Sequence, residues 1–364
     1  MTFLTIILFI FILGLLVFVH EMGHFIAAKL AKIKVEEFAF GFPPRIWSKK
    51  KGETVYAINA IPIGGYVKML GELEESQSKR SFSQKKPGTR AMVSVAGVLM
   101  NVVLAWLILT IGFAIGMSPL VSSPDSIPGK KLSTSIIVAG VESKSVAEIA
   151  SLQSGDRLIS ASSPGEQKTV FSSASEVTAY TDSHEGKKVD LVYARDDQQK
   201  LAEVTLATDS STPLGVSIVE DSAVRTAWYF APIVAFREIS RIIGINFVFL
   251  KSFFTQLFSH GEISKDVGGP VAIYIFTGMA VKAGTMVVLQ FIAILSISLA
   301  LINILPFPAL DGGRLLFIFL EKIFRRKVVN DNVENIIHLA GFALIILFAI
   351  VVTYKDVVNL IIKK

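Results

Sequence analysis

The 364-residue sequence contains no cysteine. This absence excludes disulfide scaffolds, cysteine-ligated zinc fingers and iron–sulfur clusters. Charged side chains are also scarce: they make up 18% of the chain, whereas about 25% is usual in soluble domains. Apolar residues reach 52%, which excludes a disordered chain and disfavours a purely soluble enzyme. The composition is typical of a membrane protein.

Four segments are apolar enough, and long enough, to cross a bilayer, which requires about 20 residues. They are predicted at residues 1–28, 91–117, 283–313 and 335–356. The first segment lacks the basic residues that precede the apolar core of a signal peptide, so we favour a membrane span there. The sequence therefore predicts a polytopic α-helical membrane protein with four transmembrane helices.

Basic residues concentrate in residues 29–90 and 314–334, which the positive-inside bias assigns to the cytoplasm. Both termini and residues 118–227 are then extracytoplasmic. The net charge of +6 follows from this topology, so no nucleic-acid partner is predicted. Residues 228–282 include an apolar run interrupted by charges, and each charge would cost about 2.5–3.5 kcal/mol at the bilayer centre. We therefore predict an amphipathic surface-helix region there.

Residues 135–208 are polar, with short alternating apolar runs that predict strands near 136–139, 157–160, 189–193 and 202–206. Residues 145–152 are predicted to form a short helix. The sequence predicts a small extracytoplasmic β-rich domain. Its residues 152–159 resemble the helix-to-strand corner of bacterial PDZ domains, which bind peptides by adding a strand to a sheet edge.

The first apolar segment contains the pattern His20-Glu21-Met22-Gly23-His24. On a helix, positions i and i+4 share one face, so His20 and His24 can bind one metal ion while Glu21 accepts a proton from water. Ionisable residues inside a membrane span indicate a functional site. The alternative is that the cluster merely ends the span at the cytoplasmic boundary.

A catalytic zinc site needs a third protein ligand. The strongest candidate is Asp311 at the end of the third span, because spans one and three run in the same direction and end at the same side. His338 is a further possibility, and Asp311 could instead only cap a turn. Pro306 and Pro308 are predicted to break this helix. Asn303 precedes the break and could contact substrate or form an interhelical hydrogen bond.

Together these residues resemble the site-2 protease family of intramembrane zinc metalloproteases. The resemblance rests on His20–His24, Asn303-x-x-Pro306-x-x-x-Leu310-Asp311-Gly312, Gly97-x-x-x-Asn101, Gly64-Gly65-Tyr66-Val67-Lys68-Met69 and Gly268-Gly269-Pro270-Val271. It covers nearly the whole chain and follows the order of the bacterial regulator-of-sigma-E subgroup, with a single PDZ-like domain.

This resemblance implies one Zn²⁺ held by His20, His24 and Asp311, with Glu21 as the catalytic base, near the cytoplasmic side of the bacterial inner membrane. It also implies that the protein lies in a lipid bilayer. The implied substrates are single-span membrane proteins already trimmed by another protease, including anti-sigma factors and remnant signal peptides, in regulated intramembrane proteolysis and stress response.

The resemblance also implies a membrane-associated β-hairpin in residues 29–90. Residues 54–61 alternate and are predicted as an edge strand, turned by Gly64-Gly65, that holds an unwound substrate by strand addition. The predicted substrate-binding residues are Asn303, Gly64, Gly65, Tyr66, Ala57 and Ile58. The alternative is a β-structure that only rests on the membrane. Two competing functions are a non-catalytic PDZ membrane scaffold and a metal-ion carrier.

Overall fold

The computed structural model describes residues 3–72, 76–195, 198–208, 212–260, 267–326 and 329–362. The chain divides into two compact units, Met1–Thr110 with Ala235–Lys364, and Ile111–Val234. The helices are α1 (Phe3–Leu30), α2 (Pro87–Ile115), α3 (Val146–Ile149), α4 (Ala174–Ser183), α5 (Ala231–His260), α6 (Pro270–Ala283), α7 (Thr285–Asn303), α8 (Asp311–Phe324) and α9 (Asp331–Ile362). The strands are β1 (Val35–Lys51), β2 (Thr54–Met69), β3 (Lys130–Val141), β4 (Arg157–Ser162), β5 (Thr169–Val170), β6 (Lys188–Arg195), β7 (Gln198–Thr205) and β8 (Val216–Arg225).

Four helices in the described residues, α1, α2, α7 and α9, are long and apolar enough to cross a membrane. They correspond to the four predicted spans. The third is shorter than predicted, because α7 ends at Asn303 and Asp311 begins a new helix, α8. Pro306 and Pro308 lie in the interruption, where proline can neither donate a backbone hydrogen bond nor continue the helix.

Helices α1, α2 and α7 pack together around Ile12, Leu16 and Ile292. Further along α1, Gly23 lies against the backbone of α2, where an added Cβ would clash with the Ala96 carbonyl oxygen. Small residues let two helices approach closely in a membrane, where lipid offers no hydrophobic driving force for association. This close approach brings the middle of α2 next to the histidine-bearing turn of α1.

The strands β1 and β2 form an antiparallel hairpin whose tip lies at Gly52, not at Gly64-Gly65 as predicted. Both strands bend sharply, so that four segments lie side by side in the order 45–51, 54–59, 35–40 and 65–69. The bends fall near Gly41 and Gly64, whose φ values of +82° and +102° favour glycine. The sheet packs on the end of α1 through Val35, Phe38 and Val67.

The prediction that residues 54–61 form an edge strand is wrong. Ala57 pairs with both Ala39 and Ser48, and Ile58 with both Phe40 and Trp47, so the backbone is paired on both sides. Among the described residues, the segment 65–69 pairs only with 35–40 and forms an edge. Alternation indicates that one face of a strand is buried, but it carries no information on which strands lie beside it.

The second unit contains the predicted β-rich domain. Its antiparallel sheet has the order β7-β6-β4-β3-β8, and β5 pairs with β4. Strands β3, β4, β6 and β7 coincide with the four predicted strands, whereas β8 lies beyond the predicted boundary. Side chains from the sheet, α3 and α4, including Ile136, Leu158 and Val177, form its core.

The amphipathic region predicted at residues 228–282 contains two helices, α5 and α6. In α5, Ala235, Glu238, Ile239 and Ile242 are buried at helical spacing, while Arg237 and Arg241 are exposed. The helix is therefore amphipathic over these turns. The buried face includes the carboxylate of Glu238, and the sequence pattern did not predict its burial.

A buried ion pair closes the corner between α3 and β4. Asp156 is 1% exposed, and Arg195 donates to both of its carboxylate oxygens, with Nε–Oδ1 2.7 Å and Nη2–Oδ2 2.6 Å. Asp156 also accepts the backbone N–H of Gln153 at 2.8 Å. Removing one partner of such a pair leaves an uncompensated charge, which typically costs more than the pair contributes.

We expect Asp156→Ala to destabilise the β-rich unit by about 3 kcal/mol, the low end for a broken buried pair, because Arg195 keeps some exposure. Lys188→Ala is the control, since Lys188 pairs with Glu203 at the exposed surface and should contribute less than about 1 kcal/mol. Limited proteolysis of the purified full-length protein should cut the unit much faster in Asp156→Ala. Equal cutting rates for the two variants would contradict this role.

Candidate metal centre

The helical spacing of His20 and His24 places both imidazoles on one face of α1, and Asp311 meets them from the first turn of α8. The His20 and His24 Nε2 atoms are 3.2 Å apart. Asp311 Oδ2 lies 3.0 Å from His20 Nε2 and 3.2 Å from His24 Nε2. Both histidines are buried. Three candidate ligand atoms from residues almost 300 positions apart therefore converge on one point.

The donor set fits zinc. Two histidine nitrogens and one carboxylate oxygen are the ligands of many catalytic zinc sites, which leave a fourth position open. Ligand atoms about 2.0–2.1 Å from a tetrahedral ion lie about 3.3–3.4 Å from one another, close to the three separations here. The triangle needs only a small expansion to hold an ion.

Hydrogen bonds at the far side of the rings fix the orientation of the histidines. His24 Nδ1 lies 2.8 Å from the Val93 carbonyl oxygen, which can only accept. Nδ1 therefore carries the proton, and Nε2 keeps a lone pair directed at the cluster. The Asn101 amide lies beside His20 Nδ1, with Nδ2 at 3.4 Å, and a half-turn of this amide would let its oxygen accept the Nδ1 proton in the same way.

Gly97 lies one helical turn before Asn101 on α2, at a position that has no space for a side chain. A Cβ at this position would clash with His24 Nε2 and crowd His20 Cε1. The backbone of α2 thus lies directly against the ligand rings, which only glycine permits. Gly97 and Asn101 carry part of the family resemblance, but neither is among the site residues predicted from the sequence.

The segment before α8 is held by His338. Its Nδ1 accepts the backbone N–H of Ala309 at 2.9 Å, two residues before Asp311. His338 does not join the cluster of candidate ligands and instead supports the loop that delivers Asp311. The possibility of His338 as the third ligand is therefore not supported.

A cavity of about 310 Å³ opens beside the three ligand atoms. Its lining includes Glu21, Tyr66, Asn303, Glu72 and Arg314. Of the predicted substrate-binding residues, Tyr66 and Asn303 border this cavity.

The other predicted substrate-binding residues lie outside this lining. Gly65 nevertheless packs against α1, because a Cβ there would lie 3.3 Å from Glu21 Cγ. Gly64 forms the bend before it, while Ala57 and Ile58 lie two segments away across the sheet. The edge segment 65–69 is thus the part of the sheet next to Glu21.

Glu72 and Arg314 also lie in the cavity wall, although neither is among the site residues predicted from the sequence. They form an ion pair with a separation of 2.5 Å between Glu72 Oε1 and Arg314 Nη1. The only sequence signal for Arg314 is its position one helical turn after Asp311, which places both side chains on one face. No local pattern marks Glu72.

The chain is similar over almost its whole length to known zinc metalloproteases. Residues 8–348 match Peptidase family M50. Zinc metalloprotease RasP of Shouchella clausii is 31% identical in an alignment that is 442 positions long. The alignment covers 98% of this chain and 99% of that protein. A Clostridium acetobutylicum protein, named as a candidate zinc metalloprotease, is 33% identical over 366 residues, with 98% of both chains covered.

Among solved structures, the PDZ domain of an SdrC-like protein from Listeria monocytogenes aligns with 23% of this chain at 25% identity. The alignment covers 86% of that domain with a TM-score of 0.20. The family match extends over almost the entire chain, and the relatives are matched over almost their full length. The chain therefore belongs to peptidase family M50 and is a membrane zinc metalloprotease of the site-2 type.

Proposed function

We propose that this protein hydrolyses peptide bonds within the transmembrane segments of single-span membrane proteins, with His20, His24 and Asp311 holding the zinc ion. The observation that carries the proposal is the convergence of these three ligand atoms within 3.2 Å of one another, beside a cavity. The two histidines lie on α1, which is long and apolar enough to span a membrane, and Asp311 begins α8. Anti-sigma factors and remnant signal peptides, trimmed beforehand by another protease, are the proposed substrates.

Glu21 is the proposed catalytic base. Bound zinc supplies a Lewis acid that activates water and polarises a carbonyl group. Glu21 lines the cavity next to His20 and can take the proton from the attacking water, then pass it to the amine nitrogen that leaves. Asn303, at the end of α7, also lines the cavity and offers a donor and an acceptor to the backbone of the bound peptide.

The edge segment 65–69 is the proposed holder of the unwound substrate. A transmembrane helix satisfies its own backbone hydrogen bonds, so it must unwind before water can attack an amide. Strand addition replaces those lost bonds. The Met69 N–H points away from segment 35–40 towards Glu72, and N–H directions alternate along a strand, so the Val67 N–H faces the same open side.

The proposed orientation places both termini and the β-rich unit outside the cytoplasm, and the β1–β2 hairpin inside it. The support is the concentration of basic residues in 29–90 and 314–334. The cavity beside the candidate ligands is lined by Asn303 at the end of α7, just before the basic segment 314–334, which agrees with an active site near the cytoplasmic surface. The β-rich unit would then restrict access by untrimmed proteins.

Metal content tests the ligand set directly. We expect purified wild type and Glu21→Gln to hold about one zinc per chain, while His24→Ala and Asp311→Asn lose it, since each removes one of three ligands. Cleavage of a membrane-span peptide should fall about 10²–10⁴-fold in Glu21→Gln despite its zinc, because only the base is lost. A wild-type protein that holds no zinc when zinc is supplied would contradict the protease and favour a non-catalytic scaffold.

Strand addition is tested by a proline at the open edge. Val67→Pro removes the outward N–H but keeps an apolar side chain against the core, so we expect zinc binding to persist and cleavage to fall by at least tenfold, about 1.4 kcal/mol in the barrier. Val67→Ala is the matched control, because it shortens the side chain but retains the N–H. Unchanged cleavage by zinc-bound Val67→Pro would exclude this segment as the substrate holder.

The lack of cysteine provides a clean background for a topology test. Lys168 in the β-rich unit and Lys86 before α2 are both exposed. We expect a membrane-impermeant maleimide to label Lys168→Cys in intact cells, and Lys86→Cys only after the membrane is opened. The unsubstituted chain should remain unlabelled. The opposite pattern would invert the proposed orientation.

A further inference from the structure

Arg314 is fixed in the cavity wall from two sides. Its Nη1 donates to Glu72 Oε1 at 2.5 Å, and its guanidinium lies 5.6 Å from the centre of the Phe82 ring, which adds a cation–π contact. Both Glu72 and Phe82 belong to the segment that follows the sheet. The helix that carries Asp311 is therefore tied to that segment through a single side chain.

The same carboxylate reaches the edge segment of the sheet. Glu72 Oε2 accepts the backbone N–H of Met69, the last residue of β2, at 3.1 Å. One oxygen of Glu72 thus binds the end of the proposed substrate-holding strand, and the other binds α8. These contacts join the strand to a helix more than 230 residues further along the chain.

Apolar packing alone does not position α8. Within the 14 residues of this helix, the buried positions are Gly312, Gly313 and Ile318. Its polar contacts to the rest of the unit include Arg314–Glu72 and a second ion pair, Glu321–Arg90, at 2.5 Å. Arg314 is the closer of the two to Asp311, at one turn of helix.

We propose that Glu72 and Arg314 are positioning residues that fix the edge segment 65–69 relative to the metal ligand Asp311. This inference rests on the proposed function. Hydrolysis requires the scissile carbonyl to lie within attack distance of the activated water, and a displacement of about 1 Å can cost about 10² in rate. Strand and ligand come from distant parts of the sequence, so their spacing depends on a rigid link such as this bridge.

Steady-state cleavage by Glu72→Gln, Arg314→Gln and the double variant tests the bridge. Because either substitution breaks the same link, we expect each to lower kcat per zinc-bound enzyme by about tenfold or more, and the double variant to be no slower than the slower single variant. Arg314→Lys, which keeps the charge without the planar fork, should recover part of the loss.

Glu53→Gln is the matched control. Glu53 is also an ion-paired glutamate beside this sheet, but it accepts from Arg80 and Lys29 rather than lining the cavity. We expect its kcat to equal that of the wild type. A purely structural role for Glu72 would instead lower the yield of folded protein and leave kcat per zinc-bound enzyme unchanged, which would overturn the proposal. Losses that multiply in the double variant would also overturn it.

Zinc release to a chelator provides a readout that does not depend on cleavage. If the bridge holds the helix that bears Asp311, Glu72→Gln and Arg314→Gln should release zinc about tenfold faster than the wild type, a factor typical of lost support around metal ligands, while Glu53→Gln should not. Equal release rates in all variants would overturn the proposal. A wild type that binds zinc but cleaves no membrane-span peptide would contradict the proposed function. The zinc release rates would still show whether the Glu72–Arg314 bridge supports the helix that bears Asp311.

Discussion

The structure depends on one constraint: two imidazoles and a carboxylate must meet in an apolar helical bundle without leaving polar groups unsatisfied. Inside a membrane, no water is available to hydrogen-bond an orphaned donor or acceptor. The Val93 carbonyl accepts the His24 Nδ1 proton, the Asn101 amide lies beside the His20 ring, and the absence of a side chain at Gly97 makes room for both rings. The close approach of α1 and α2 at Gly23 and the space for the candidate histidine ligands therefore belong to one packing arrangement.

The third candidate ligand, Asp311, is delivered by a break in regular structure. Helix α7 stops at Asn303, and α8 begins at Asp311, so Asp311 lies in a first helical turn instead of on a continuous span. His338 accepts the Ala309 N–H within the connecting segment, which satisfies a backbone group that the prolines leave outside a helix. A broken helix in a membrane protein is tolerated where it borders a cavity, and this one does.

The sheet and the ligand cluster belong to one unit because the edge segment 65–69 lies directly beside Glu21. In the proposed function, peptide held at that edge would lie between Glu21, the proposed base on α1, and Asp311, the proposed ligand from α8. The Glu72–Arg314 bridge is placed where these two parts of the chain meet, and its contacts are part-buried and charge-assisted. In this proposal, the polar contacts of Glu72 and Arg314 determine how α8 lies relative to the edge segment 65–69, because α8 buries few apolar side chains.

The sequence by itself determined the four apolar helices, the β-rich unit and the candidate ligands His20, His24 and Asp311, because hydropathy and i, i+4 spacing are local properties. It also indicated the break at Pro306 and Pro308. It misassigned the edge of the sheet, since alternation at Ala57 and Ile58 reports a buried face and not the neighbouring strands. Only the tertiary structure decided that edge, the part played by Gly97, and the pairing of Glu72 with Arg314. These features arise from contacts between residues far apart in the chain, and no local pattern encodes such a contact.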